Sequence, residues 1–313
     1  MTSAISIFGN LTIDDLVFAD GSTRWAVPGG SAAYAALGAA IWVGSVSIIA
    51  PVGADYPVEI LTPRVDLSRC RRAPRTLRNW GLYEDDGRRH FVSRSADRDW
   101  SEFSPQPSDA SSGYQTAAHI APLPRDIGME LIRKLRGIGT RSISLDVDDH
   151  DFLGRLSVDS IIELVHEVDF FLPSRENVLA IFPYLSPFEG LRKLRALARD
   201  VPLIAMKCGA DGVIAHVADA TEWVRIPAVA VEVVDVTGAG DEFWGGALAG
   251  FAERNDPIEA LLYDAVSASF CIEGLGIAGL AAATKEKLAP SCDTSPSNRI
   301  STDVRIGTDV RYS

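Results

Sequence analysis

Short hydrophobic runs alternate along this chain with longer stretches in which apolar residues recur every three to four positions. The runs at residues 4–8, 46–52, 142–145 and 203–206 predict buried strands, and the stretches at 31–40, 127–135, 158–165 and 187–198 predict helices. This alternation favours an α/β fold, with a three-layer, doubly wound and mainly parallel sheet that helices cover on both faces. Such sheets bind ligands beyond the carboxyl ends of their strands, so we expect the chemistry in those loops.

Two segments have a different pattern. Residues about 15–27 and about 76–94 alternate polar with apolar positions, which is typical of strands with one solvated face. Turn-forming residues interrupt them at 20–22 and 86–87, so each segment is expected to be a hairpin that projects from the main body. The helix that follows the first hairpin has Ser31 as its predicted N-cap.

Composition and charge narrow the class of protein. The 313 residues carry a net charge of −12, which argues against nucleic-acid binding, because that function relies on a basic surface. The first residues lack the basic start and apolar stretch of a signal peptide, no apolar run could span a membrane, and the four cysteines form no CxxC pair. We therefore expect a cytoplasmic protein with no membrane partner. Residues 1–283 are predicted to form one domain, and residues 284–313 a polar C-terminal tail.

The strongest chemical signal is the string Asp-Val-Thr-Gly-Ala-Gly-Asp at residues 235–241, directly before an apolar helix. Its small residues let successive N–H groups converge at the helix N-terminus, an arrangement that binds phosphate oxygens. Asp241 then lies beside that anion site, where a carboxylate can take the proton of an attacking hydroxyl. The alternative is a glycine-rich helix start in which Asp241 only favours the helix dipole. The complete string favours the catalytic interpretation.

This string resembles the C-terminal signature of the ribokinase, or PfkB, family of carbohydrate and nucleoside kinases. The resemblance implies a ribokinase-like fold with a small β lid, formed by residues about 15–27 and 76–94, which closes over the substrate. It also implies ATP and Mg²⁺ as cofactors, and a monovalent cation near Asp235. The implied catalytic residues are Asp241 as the base and Gly238, Ala239 and Gly240 as the anion hole.

The resemblance extends over most of the chain. Residues 9–14 resemble the family's first-strand motif, whose final Asp14 accepts hydrogen bonds from substrate hydroxyls. Residues 28–34 resemble the di-glycine substrate motif, which implies substrate contacts at Gly29, Gly30 and Tyr34. Lys207 is implied to reach a phosphate, although a solvated lysine at a strand end is an equal alternative. The implied nucleotide contacts are Lys207, Gly209, Gly212, Thr237, Gly238 and Gly240.

The sequence departs from the family pattern at the substrate and metal motifs. Tyr34 stands where the family has Asn; a phenol donates one hydrogen bond but fills more space. The family's metal-organising Asn-x-x-Glu aligns with residues 174–177, in which the final Glu is replaced by Asn177. Either Glu176 or Asn177 is expected to serve the Mg²⁺ site, or metal handling is weakened.

The resulting expectation is an ATP-dependent kinase that transfers the γ-phosphoryl group to a hydroxyl of a small-molecule sugar, polyol or nucleoside. The alternative is a catalytically idle ligand-binding or regulatory protein on the same fold, which the changes at Ser174 and Asn177 motivate. The P-loop and dinucleotide-binding glycine motifs do not occur in the sequence, which disfavours a P-loop kinase and a Rossmann dehydrogenase. Trp25 and Tyr34 are either an aromatic wall for a nucleoside base or packing residues. The resemblance also implies a homodimer through the lid.

Overall fold

An eight-stranded sheet is the centre of the molecule in a computed structural model that describes residues 4–85, 88–111, 115–147 and 157–284. The strands of the chain are β1 (Ala4–Phe8), β2 (Thr12–Val17), β3 (Thr23–Gly29), β4 (Val46–Ile49), β5 (Pro51–Gly53), β6 (Arg71–Ala73), β7 (Leu77–Tyr83), β8 (Arg89–Ser93), β9 (Gln115–Ile120), β10 (Ser142–Leu145), β11 (Phe170–Phe171), β12 (Leu203–Lys207), β13 (Val213–Val217) and β14 (Val224–Ile226). The large sheet has the order β14-β13-β12-β11-β10-β9-β1-β4. The six strands from β4 to β12 in this order are parallel to one another. β13 pairs antiparallel with β12 on one side and with β14 on the other.

Helices cover both faces of this sheet. They are α1 (Ser31–Ala40), α2 (Asp97–Glu102), α3 (Arg125–Gly137), α4 (Val158–His166), α5 (Arg175–Ile181), α6 (Pro187–Leu197), α7 (Ala239–Arg254), α8 (Pro257–Ile272) and α9 (Ala278–Ala282). None of these helices, which all lie in the described ranges, has the length and hydrophobicity to cross a membrane.

The alternation of side chains along β12 shows the layering. Leu203 and Ala205 are buried in the core cluster that contains residues of α1, α7 and α8. Ile204 and Met206 are buried in a second cluster with residues of α5 and α6. Because successive side chains of a strand point to opposite faces, the two clusters lie on opposite sides of the sheet. The prediction of a three-layer, mainly parallel α/β fold is confirmed.

A separate four-stranded sheet, which we name the lid sheet, has the order β3-β2-β7-β8. Its first hairpin turns at Gly21, where φ is +81°, a conformation that glycine adopts without steric cost. The predicted turn at residues 86–87 lies outside the described residues, as does the predicted tail from residue 285 onward.

The start of α1 differs from the sequence prediction. Gly30, and not Ser31, is the N-cap residue, and its carbonyl accepts hydrogen bonds from the backbone N–H groups of Ala33 and Tyr34. Gly30 has a φ of +103°, and a Cβ there would lie 2.7 Å from the Leu11 Cα. The close approach of the β1–β2 connection therefore requires glycine at this position, and the helix begins without a side-chain cap.

Three glycines fix α7 against its neighbours. A Cβ on Gly245 would overlap the Ala35 carbonyl of α1, and a Cβ on Gly246 would lie 2.7 Å from the Asp264 Cα of α8. A Cβ on Gly250 would lie 2.8 Å from the Ala260 Cα. Because the backbones approach this closely, α7 has little freedom to shift, and its N-terminus is held in a fixed position beside α1.

Candidate active site

The loop at residues 235–241, which we name the anion loop, forms the start of α7. Gly238 is the N-cap residue of this helix in the left-handed conformation, with φ +76°, and Asp241 lies in the first turn. The Gly238 carbonyl accepts the first helical hydrogen bond from the Glu242 N–H, and the Ala239 N–H makes a long contact of 3.4 Å with the Val236 carbonyl. The N–H end of the helix and a half-buried carboxylate therefore lie together, as the sequence predicts.

The ring of Tyr34 lies directly on this loop. A Cβ on Gly238 would overlap the Tyr34 ring, whereas a Cβ on Gly29 would lie 3.8 Å from the far side of the ring at Cε2. Tyr34 is 4% exposed. Burial raises its pKa above the ordinary value, and the negative charges around it, including those of Asp14 and Asp241, raise it further. The Tyr34 ring thus joins the di-glycine motif to the anion loop.

Asp14 projects from β2 into the same region. Its carboxylate accepts hydrogen bonds from Asn79 Nδ2 at 2.9 Å and from Thr12 Oγ1 at 3.1 Å. A Cβ on Gly29 would lie 2.9 Å from Asp14 Oδ2, so the absent side chain leaves space at this oxygen. Burial raises the pKa of Asp14 to about 6, although the two hydrogen bonds lower it. The sequence reasoning missed Asn79, which the alternating pattern of β7 places on the same face of the lid sheet.

Lys207 lies at the carboxyl end of β12, beside the anion loop. Its Nζ donates to the Gly240 carbonyl at 3.2 Å and lies 3.8 Å from the Asp146 carboxylate. Both side chains are largely buried, so Lys207 is not the solvated lysine of the alternative interpretation. Gly209 and Gly212 form the turn after β12, with φ values of +58° and +83°. Of these predicted nucleotide-contact residues, Lys207 contacts the loop, and the two glycines lie in the turn that follows it in the chain.

The predicted metal segment opens α5. The Asn177 side chain accepts from the Ser174 N–H at 2.8 Å, and the Ser174 hydroxyl accepts from the Asn177 N–H at 3.0 Å. In this capping box the Asn177 amide oxygen is already used as a hydrogen-bond acceptor at the start of the helix. The Glu176 side chain, in contrast, is exposed. Among the described residues no three carboxylate, histidine or cysteine side chains gather into a metal-binding group.

Asp146 lies beside Lys207, although the sequence reasoning did not include it among the candidate site residues. It follows β10 directly, so the signal was a carboxylate at the end of a predicted buried strand. One carboxylate with water and phosphate oxygens is a ligand set that Mg²⁺ commonly uses, so the residues beyond β10 and β11 fit this ion.

Asp235 fits a monovalent cation less well. Its carboxylate accepts hydrogen bonds from the Tyr83 hydroxyl, from the Thr237 N–H and, at 3.4 Å, from the Gly276 N–H. Protein donors therefore already surround this buried group, and its evident role is to shape the loop.

The lid sheet contacts the anion loop directly. The Tyr83 hydroxyl lies 2.6 Å from Thr237 Oγ1, and Arg89 Nη1 donates to the same oxygen at 3.1 Å. Neither residue was singled out from the sequence, because alternation shows which residues share a lid face but not which distant loop they reach. The lid sheet therefore lies against the start of α7 in this structure.

Two carboxyl groups are buried directly behind the loop. Glu242 on α7 and Asp264 on α8 are both 0% exposed. Among the described residues their carboxyl oxygens make no hydrogen bond of good geometry, although Ser267 lies close to Glu242 and the Ala247 backbone close to Asp264. Burial raises both pKa values well above ordinary, the Glu242 charge adds to the rise at Asp264, and the Lys207 charge opposes it. Burial therefore favours the protonated, neutral form of each group.

Comparison with known proteins agrees with this geometry. The family model described as "pfkB family carbohydrate kinase" matches residues 8–281. A cytidine kinase of Thermococcus kodakarensis is 28% identical over 263 residues, which are 81% of this chain and 90% of that protein. Ribokinase from Cryptococcus neoformans in complex with ADP has a TM-score of 0.75 at 18% identity, covering 92% of this chain and 99% of that chain. A probable sugar kinase from Rhizobium etli has a TM-score of 0.73 at 20% identity, with the same two coverages.

The two buried carboxyls should make stability fall as pH rises. Because the folded state binds their protons more tightly than the unfolded chain, the stabilisation is complete below the ordinary pKa of 4.5 for Glu242 and is lost above it. For each group, the free energy of unfolding should fall by about 1.4 kcal/mol per pH unit until the pH reaches the pKa of that group in the folded state. The double variant Glu242→Gln/Asp264→Asn should lack this slope in urea unfolding between about pH 5 and about pH 8.

The exposed Glu253 of the same helix provides the control. Glu253→Gln should keep the wild-type dependence on pH. Equal slopes in the wild type and in the double variant would show that the two carboxyls are already ionised in the folded state.

Proposed function

Because the chain belongs to the pfkB family of carbohydrate kinases and is a phosphotransferase of that type, acting on a sugar or nucleoside, we propose that it transfers the γ-phosphoryl group of ATP to a sugar hydroxyl of a nucleoside. Asp241 acts as the general base in this proposal. Asp14 holds the acceptor through neighbouring hydroxyls, and the start of α7 holds the phosphoryl group.

The observation that carries the proposal is the position of the Tyr34 ring. The ring occupies the space of a Cβ on Gly238 in the anion loop, and its other edge lies 3.8 Å from where a Cβ on Gly29 of the di-glycine motif would be. The charges of Asp14 and Asp241 both act on its hydroxyl. Asp14 and the anion loop therefore both lie near the Tyr34 ring, which supports a direct transfer from a phosphoryl group at the loop to an acceptor at Asp14.

The proposed step is a displacement at the γ-phosphorus. The acceptor hydroxyl gives its proton to the Asp241 carboxylate, and its oxygen forms a bond to the γ-phosphorus. The bond from that phosphorus to the oxygen bridging to the β-phosphate breaks, and ADP leaves with the electron pair. The N–H groups at Gly238, Ala239 and Gly240 stabilise the negative charge on the phosphoryl oxygens during transfer.

The residues beyond the strands complete the phosphate site. Lys207, fixed against the Gly240 carbonyl, supplies positive charge on the body side of the loop. Mg²⁺, when bound, neutralises charge on the phosphates, and Asp146 and Glu176 would hold it through oxygen ligands and water. The rest of the nucleotide lies, in this proposal, next to Thr237, Gly209 and Gly212. The homodimer through the lid and the cytoplasmic location stay predictions.

A nucleoside acceptor is supported by a relative and by one feature of the lid. The Thermococcus kodakarensis relative with high coverage of both chains is named a cytidine kinase. In the lid sheet, Phe91 pairs with Gly81, between the pairs that contain Asn79 and Tyr83, and it is 41% exposed. Its ring therefore lies on the face shared with the partner of Asp14, where it can stack on a base. Trp25, in contrast, is an exposed residue that packs edge-on against Trp80.

The competing function is an idle binding protein on the same fold. The only support for this function is at Asn177, because the capping box uses its side chain, which is then not available as a metal ligand. The loop that carries Asp241 and the Asp14 site are both intact, so the enzyme is the better supported function.

The variant Asp241→Asn should lose turnover, because an amide cannot take the proton of the acceptor. We expect kcat to fall about 100- to 10,000-fold, with ATP affinity nearly unchanged. The measurement is ADP release with cytidine as the acceptor, together with ATP binding by calorimetry. Glu253→Gln on the same helix is the matched control, and wild-type turnover in Asp241→Asn would rule out the proposed base.

Acceptor binding should weaken as pH falls through the pKa of Asp14, about 6. Protonated Asp14 accepts fewer hydrogen bonds, so the Kd for cytidine should rise about tenfold per pH unit below that value. Calorimetry in the Asp241→Asn background removes titration of the base from the measurement. Asp14→Asn should bind weakly and without this pH dependence, and an unchanged pH profile in that variant would contradict the role of Asp14.

A further inference from the structure

We propose that Arg89 is a catalytic residue that the lid delivers to the transferred phosphoryl group. The proposal rests on the proposed function and adds to it a second cation, opposite Lys207. It also gives lid closure a chemical role, because the charge reaches the anion loop only when the lid sheet lies on it.

The contact at Thr237 carries the inference. Arg89 Nη1 donates to Thr237 Oγ1 at 3.1 Å, and Thr237 directly precedes Gly238, the N-cap of α7. The acceptor is a neutral hydroxyl, so the contact does not neutralise the guanidinium. A guanidinium has five N–H donors, and this hydrogen bond uses one of them. The guanidinium therefore lies beside a helix N-terminus that attracts phosphate oxygens.

The register of the lid sheet explains how Arg89 reaches the loop. Arg89 pairs with Tyr83 across β7 and β8, and Asn79, which contacts Asp14, lies on the same face. One face of the lid thus contacts both the acceptor site and the anion loop. The Tyr83 hydroxyl, 2.6 Å from Thr237 Oγ1, holds the two strands against the loop.

Other arginines of the lid are committed elsewhere. Arg78 forms an ion pair with Asp55 at 3.1 Å. Arg94 forms an ion pair with Asp15 and lies over the Trp80 ring, 4.5 Å from its centre. Both ion pairs neutralise their guanidinium groups with carboxylates outside the anion loop, whereas Arg89 donates to that loop.

A cation at this position has a specific role in phosphoryl transfer. Negative charge spreads over three oxygens of the transferred group, and a single lysine cannot contact all of them. Lys207 acts from the body of the protein and Arg89 from the lid, so the oxygens are held from two sides. This interaction is stronger in the transition state than in the ground state, and it therefore raises kcat more than it lowers KM.

The test compares Arg89→Ala and Arg89→Lys with Arg88→Ala, whose arginine is adjacent in sequence and exposed. With ATP and cytidine, Arg89→Ala should lower kcat about 100-fold, with a smaller change in the KM for cytidine. Arg89→Lys should retain part of the lost rate, and added guanidinium chloride at low concentration should restore part of it in Arg89→Ala only. Arg88→Ala should behave as the wild type.

A binding measurement provides a readout that does not depend on turnover. ADP with aluminium fluoride, which resembles the phosphoryl group in transfer, should bind Arg89→Ala much more weakly than it binds the wild type, while ADP alone should bind both equally. A wild-type kcat in Arg89→Ala, or an equal loss in Arg88→Ala, would overturn the assignment. If Asp241→Asn is inactive and Arg89→Ala is active, only the Arg89 proposal fails; if Asp241→Asn is active, the proposed function itself fails.

Discussion

The contact between the Tyr34 ring and Gly238 is the constraint on which the site depends. Gly238 must be glycine for two reasons, a φ of +76° and the ring that occupies the space of a Cβ. The ring belongs to α1 and the glycine begins α7. This one contact therefore fixes the distance between the di-glycine motif, which leads into α1, and the anion loop. Gly245 and Gly246 maintain that distance further along α7, because they let the helix backbones approach closely.

The same packing produces the acid pair behind the loop. α1 approaches α7 at Gly38, where a Cβ would lie 2.9 Å from the Glu242 Cγ, and Glu242 and Asp264 are enclosed between helices. A pair of ionised carboxylates in this environment would cost several kcal/mol, so the protonated forms are favoured. Glu242 follows the proposed base Asp241 directly, and in its protonated form it adds no negative charge beside the anion loop.

Much of the fold was predictable from the sequence because its signals are local. The strand runs, the helix at α1 and the glycine string before α7 each depend on neighbouring residues. The N-cap of α1 was predicted at Ser31 but lies at Gly30, because the close approach of a distant segment decides it. The contacts of Asn79, Tyr83 and Arg89 were not predictable, since they join residues about 65 to 154 positions apart. Alternation places such residues on one face but does not identify the loop which that face meets.

The central claim is that one closed site brings an acceptor hydroxyl to the phosphoryl group of ATP. The most direct test is to incubate the protein with ATP, Mg²⁺ and, separately, cytidine, ribose and fructose, and to quantify ADP and the phosphorylated acceptor by mass spectrometry. We expect equal amounts of ADP and a phosphate ester, with cytidine as the best acceptor of the three. Binding of ATP and of an acceptor without formation of ADP or ester would contradict it and would identify the protein as an idle binding member of the fold.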